Sequence, residues 1–168
     1  YQQPIMDVFY DDSDNKWALL FGYLIWAFPA ISITYIYGTL LTANNNMKFL
    51  NYVAAGGMII NISLNFVFIP EYRSLGAAYS TLVSLSFVAV SQLLYAIKIF
   101  NIKINYKHLG LAVIFITGLI FINIYTINLT SNWLINYLMV LFAGILMAVF
   151  LKLINIKSLL LLLKEQKL

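Results

Sequence analysis

A bundle of membrane-crossing α-helices is the fold class this sequence predicts, and three observations predict it. Hydrophobic residues fill 62% of the 168 positions and charged ones only 10%, against about half and a quarter in soluble domains. The apolar residues fall in five long continuous runs, each close to the roughly 20 residues a helix needs to cross a bilayer core. No charged side chain lies in the central part of any run, as the cost of burying charge in hydrocarbon requires. Continuous runs of this length argue against a membrane barrel, whose strands are short and alternate apolar with polar residues.

The first span is expected at 17–43. It opens on Trp17, an indole suited to the membrane interface, and holds Pro29 near its middle. That proline removes a backbone donor and crowds the preceding turn, so a kink is expected there and Pro29 is a hinge candidate. Trp26 lies deeper, where packing is its expected role. The second span, 49–69, carries Asn61 and Asn65 one helical turn apart, with Gly57 one turn earlier on the same stripe, and Pro70 is expected to end it. A bare amide in hydrocarbon costs several kcal/mol on transfer scales, so this face should meet another helix or a wet cavity. As interhelical glue each amide would contribute about 1 kcal/mol or less; as cavity lining it would touch a passing polar solute.

The third span, 75–99, repeats small residues at Gly76, Ser80 and Ser84, flanked by Ala77 and Thr81. This spacing lets two helix backbones approach closely. Gln92 in this span and Asn123 in the fourth, 109–127, are lone amides for which an interhelical hydrogen bond is the default. The fifth span, 133–154, begins at Trp133. The tail, 156–168, is too short to cross again and is expected to lie along the membrane surface as an amphipathic helix. Residues 1–16, with Asp7, Asp11, Asp12 and Asp14, are expected to form a solvated loop.

Charge in the connections sets an expected orientation. The third connection carries Lys98, Lys103, Lys107 and His108, and the tail carries Lys152, Lys157, Lys164 and Lys167 against one Glu165. The fourth connection is neutral, and Glu71 and Arg73 cancel in the second. Basic loops face the cytoplasm, which puts the start of the chain outside and its end inside. Lys103 and Lys107 are candidates for contact with anionic headgroups, although topology alone explains them.

Other chemistry is excluded or weak. There is no cysteine, hence no disulfide framework. The single histidine, His108, has no second ligand close in sequence, so no metal site is expected. No phosphate-binding glycine loop, HExxH or Ser/His/Asp set is present, no cofactor is implied, and an enzyme is not expected. The scattered lysines do not form a nucleic-acid footprint. "NLT" at Asn128 fits a glycosylation acceptor, a pattern that arises often by chance. The chain opens on Tyr1 without a basic stretch before an apolar run, so no signal peptide is read there, and a preceding segment of a longer protein is expected.

Two stretches, "YIYGTLLTANNNMKFLNYVA" and "NISLNFVFIPEYRSLGAAYSTLVS", carry a resemblance. The pieces are Gly38, Thr39, Leu40, Leu41, Ala43 and Asn44; then Asn61, Leu64, Asn65, Ile69, Pro70 and Tyr72; then Gly76, Ala77, Ala78, Thr81 and Ser84. Together they resemble the C-terminal lobe of polysaccharide-biosynthesis flippases, of the multidrug/oligosaccharidyl-lipid/polysaccharide exporter superfamily. The resemblance covers about the first hundred residues; the last two spans fit by topology only. It implies a partial lobe of a twelve- to fourteen-helix transporter with an N-terminal lobe as partner. It also implies a bacterial plasma membrane and a polyprenyl-pyrophosphate-linked oligosaccharide as cargo, moved by alternating access. Asn61, Asn65 and Gln92 would then be substrate-path candidates, and Gly57, Pro70, Gly76, Ala77, Ser80 and Ser84 the helix-packing motif. This sequence departs from the family picture in supplying no Arg or Lys within a span. The competing expectations are a cation-coupled multidrug exporter of the same superfamily, a membrane enzyme of glycan assembly, and a scaffold subunit.

Overall fold

The computed structural model describes residues 1–10, 15–103, 105–129 and 132–153. Every element in them is a helix: α1 (Gln2–Phe9), α2 (Asn15–Ala43), α3 (Met47–Tyr72), α4 (Ser74–Phe100), α5 (Tyr106–Ile127) and α6 (Trp133–Phe150). The last five are each long and apolar enough to cross a membrane. They coincide with the expected spans to within a few residues at either end. The tail at 156–168 and Asp11, Asp12 and Asp14 lie outside the described residues.

Local chemistry accounts for the boundaries. Asn105 accepts from the backbone N–H groups of Lys107 and His108 at 3.2 and 3.4 Å, which starts α5. Asn132 does the same for α6 through Leu134 at 3.0 Å. Asn101, left-handed at φ 48°, closes α4, a position where asparagine is second only to glycine. Two differences from the sequence reading stand out. Part of the expected N-terminal loop is helical, as α1. Pro70 does not end α3, which runs two residues further to Tyr72 before the Arg73 N–H closes the last turn on the Ile69 carbonyl at 2.8 Å. Pro70 removes only its own bond back along the helix and leaves the later donors free to complete the turn. α2 likewise continues through Pro29 as helix.

The described chain divides into two units, Gln2–Lys103 with α1 to α4, and Tyr1 together with the part that follows, with α5 and α6. In the first, α4 is central: α2 and α3 each pack along it, touch one another little, and α1 packs on α2. In the second, α5 packs on α6. There Gly118 lies against Met147, and Gly144 faces Leu119, whose Cδ2 is 3.1 Å from where a Cβ would stand.

What is buried is small. Ala18, Ala27, Ala30, Ala78, Ala89 and Ala96 form most of the apolar interior of the first unit, with Leu41 and Val53 as its larger members. Phe66 and Tyr35 are 80% and 78% exposed instead. This is the packing logic of a bilayer, where lipid tails solvate large apolar groups and helices associate by close backbone approach.

Candidate functional site

The seam between α3 and α4 gathers most of the polar residues singled out in the sequence. Its pairing runs in step along both helices. Phe68 meets Gly76 and Tyr79, Asn61 meets Ser84, Gly57 meets Val88, and Phe49 stacks on Tyr95 with ring centroids 3.6 Å apart. The small residues are where the backbones come closest. A Cβ on Gly76 would fall on the Phe68 carbonyl, 2.6 Å from its carbon and 3.0 Å from the Ile69 nitrogen. Gly57 is buried, 3.8 Å by the same measure from the Ser84 carbonyl oxygen.

Across this seam runs a directed chain of hydrogen bonds. The Asn65 Nδ2 donates to Asn61 Oδ1 at 3.0 Å, and Asn61 Nδ2 donates to Ser84 Oγ at 3.1 Å. Ser84 Oγ then donates to the Thr81 carbonyl at 3.0 Å. Beside it, Thr81 and Ser80 return their hydroxyls to the carbonyls of Ala77 and Gly76, each at 2.8 Å. Asn61 and Asn65 are half-buried while Ser80 and Ser84 are buried. The expectation that the amide face of α3 meets another helix is therefore met by Ser84. The chain is open at one end: Asn65 Oδ1 is buried and accepts no hydrogen bond among the described residues. Because the same amide donates through nitrogen, its oxygen is polarised into a stronger acceptor.

Gln92 belongs to a different contact. It is 6% exposed, faces α2, and its Oε1 is 3.1 Å from the position a Cβ would take on Gly38. That oxygen and the Thr34 hydroxyl, one turn before Gly38, are both buried without a hydrogen-bond partner among the described residues. Gln92 is thus not joined to the Asn61–Asn65 chain, and the default of an interhelical hydrogen bond is not met at its oxygen. Asn123 has the same condition at Oδ1, in an apolar cavity with Tyr137 and Gly144.

The other candidates are placed as follows. Pro29 is exposed in a shallow apolar groove with Phe21, Leu24, Trp26 and Phe28. Lys103 and Lys107 are both exposed, Lys103 beyond the end of α4 and Lys107 in the first turn of α5. Pro70 is exposed near the end of α3, and Ala77 is half-buried in the first turn of α4. Sequence reading missed the seat that Gly38 gives Gln92, the orphan hydroxyl of Thr34, and the burial of Asn136 on α6, 4% exposed. An amide within an apolar run was the available signal for Asn136. Nothing in a single chain marks which threonine lacks a partner.

Comparison with family models, with curated proteins and with solved structures finds no match for the chain. What is established is a multi-pass membrane protein with five candidate transmembrane helices, in which a tightly seated helical hairpin carries an internal polar chain open at Asn65.

Proposed function

We propose that this chain is the C-terminal part of a membrane transporter that flips or exports a lipid-linked oligosaccharide across a bacterial plasma membrane by alternating access. The observation that carries the reading is the open end at Asn65. Three linked donors run from Asn65 to the Thr81 carbonyl, and the buried atom of these side chains left without a partner among the described residues is an acceptor oxygen, Asn65 Oδ1. Once helix movement in the transport cycle uncovers it, an acceptor of this kind suits the hydroxyl groups of a sugar, which arrive as donors. The Asn61–Asn65 face of α3 would border the path, and the rigid α3–α4 hairpin would move as one body. The basic third connection and tail support a cytoplasmic end for the chain.

The experiment replaces both amides with leucine in the full protein and measures polysaccharide displayed at the cell surface. Asn61→Leu with Asn65→Leu is expected to abolish display while leaving membrane insertion and protein level unchanged. Normal display by a stably expressed double variant sinks the proposal.

A further inference from the structure

Three helix ends meet where α2 begins, α3 stops and α4 starts. Lys16, Trp17, Glu71, Tyr72, Arg73 and Leu75 line a cavity there of about 630 Å³. One turn deeper, Leu19, Tyr23, Phe68, Gly76 and Tyr79 line a second cavity of about 290 Å³. Tyr72 and Leu75 belong to both cavities. The two therefore form one slot with a charged mouth and an apolar floor.

Among the described residues the mouth holds two cations and one carboxylate, and no ion pair joins Lys16, Glu71 and Arg73 to one another. Because the mouth sits at the ends of three spans, it lies at the edge of the bilayer, where an indole such as Trp17 is at home. The floor is walled by aromatic and aliphatic side chains and faces the hydrocarbon region. Polar at the interface and apolar one turn inward is the outline of a lipid molecule. A mouth volume of this size also falls within the range of small-molecule sites.

The charge pattern selects among lipids. Lys16 and Arg73 provide donors and positive charge for a phosphate. Glu71 provides an acceptor for a primary ammonium group. A headgroup with a phosphodiester and a primary amine satisfies all three, whereas a purely anionic headgroup leaves Glu71 opposed to it. A trimethylated amine brings charge but no N–H to donate. We propose that this slot binds an aminophospholipid of the phosphoethanolamine type, its phosphate held by Lys16 and Arg73, its ammonium by Glu71, and the upper part of one acyl chain between Tyr23, Phe68 and Tyr79. The inference needs only that the helices span a membrane and is independent of what the protein carries.

The full chain is reconstituted into bilayers of phosphatidylethanolamine, phosphatidylglycerol and phosphatidylcholine in equal parts. It is extracted in mild detergent, and the co-purifying lipids are measured by mass spectrometry. Phosphatidylethanolamine is expected to be enriched over both others. Glu71→Gln removes its advantage over phosphatidylglycerol. Lys16→Gln combined with Arg73→Gln lowers retention of every phospholipid, by about three- to fivefold for each charge removed. Lys98→Gln, an exposed cation at the far end of α4, leaves the profile unchanged. Should the double variant fail to fold, Lys16→Gln alone supplies the readout, because its side chain is exposed in the first turn of α2. Equal retention of the three lipids by the unaltered chain overturns the proposal, as does a preference that survives Glu71→Gln. Displacement of phosphatidylethanolamine by an equimolar polyprenyl phosphate overturns it too, and assigns the slot to a carrier lipid.

Discussion

Adding a single methyl group at Gly76 should damage this protein more than the same change at any other glycine of the α3–α4 seam. The new Cβ of Gly76→Ala would lie 2.6 Å from the Phe68 carbonyl carbon and 3.0 Å from the Ile69 nitrogen. Comfortable carbon contacts begin near 3.5 Å, so the shortfall is about 0.9 Å. It is set against backbone that cannot rotate away. The two helices must part by that amount at the turn end, which puts Gly76→Ala in the range of overpacked interiors, about 1–3 kcal/mol. At Gly57 the obstacle is Val88 Cγ2 at 2.6 Å, the end of a side chain, with the nearest backbone oxygen at 3.8 Å. Gly57→Ala can be absorbed by a rotamer change of about 1 kcal/mol. Gly110, in α5, meets nothing within 4 Å and serves as the unstrained control. Unfolding of the full chain in mixed micelles with rising dodecyl sulfate, followed by tryptophan fluorescence, measures the three side by side. The expected order of stability loss is Gly76, then Gly57, then Gly110. A Gly76→Ala protein as stable as Gly57→Ala would show that the hairpin does not close as tightly as described.

Two further outcomes follow from the same geometry. Arg73 sits at φ 52° and ψ −123°, a backbone region suited to glycine, so Arg73→Gly is expected to raise stability in the same assay by about 1 kcal/mol. In the lipid assay it should lower retention, since the guanidinium is gone; a loss of stability would place the strain elsewhere. Gln92→Leu removes a buried carbonyl that has no partner among the described residues. An unmet buried acceptor costs about 1–3 kcal/mol, so the leucine variant is expected to be as stable as the parent or more so, and a clear loss would mean the oxygen is satisfied.

Much of the architecture could be read from composition and pattern, because crossing a bilayer leaves few choices. Length of apolar run, exclusion of charge and the prolines, asparagines and small residues around Asn61–Thr81 suffice to place five helices and to anticipate a close hairpin. Asn61 and Asn65, one turn apart, announce a common face. That face finds its partner in Ser84, which was singled out for its size and not for its hydroxyl. Three things were hidden. The helical state of Gln2–Phe9 follows from packing on α2, a tertiary cause that no local pattern reports. Pro70 looked like a stop because proline forfeits one hydrogen bond, yet the donor that closes the helix belongs to Arg73. The role of Gly38 depends on which helix lies beside it, and α2 contacts α4, its neighbour but one in sequence, far more than it contacts α3.

The stepwise matching of α3 to α4 works like a vernier. Sliding one helix past the other by a single turn would bring Asn61 opposite Val88, whose side chain offers its amide no acceptor, or else opposite Ser80, whose hydroxyl can still accept while it donates to the Gly76 carbonyl. The first slip strands the amide, and either slip moves the Phe68 backbone off Gly76, where the two helices come closest. The hairpin can therefore tilt or travel as a unit, but it cannot ratchet along its own length.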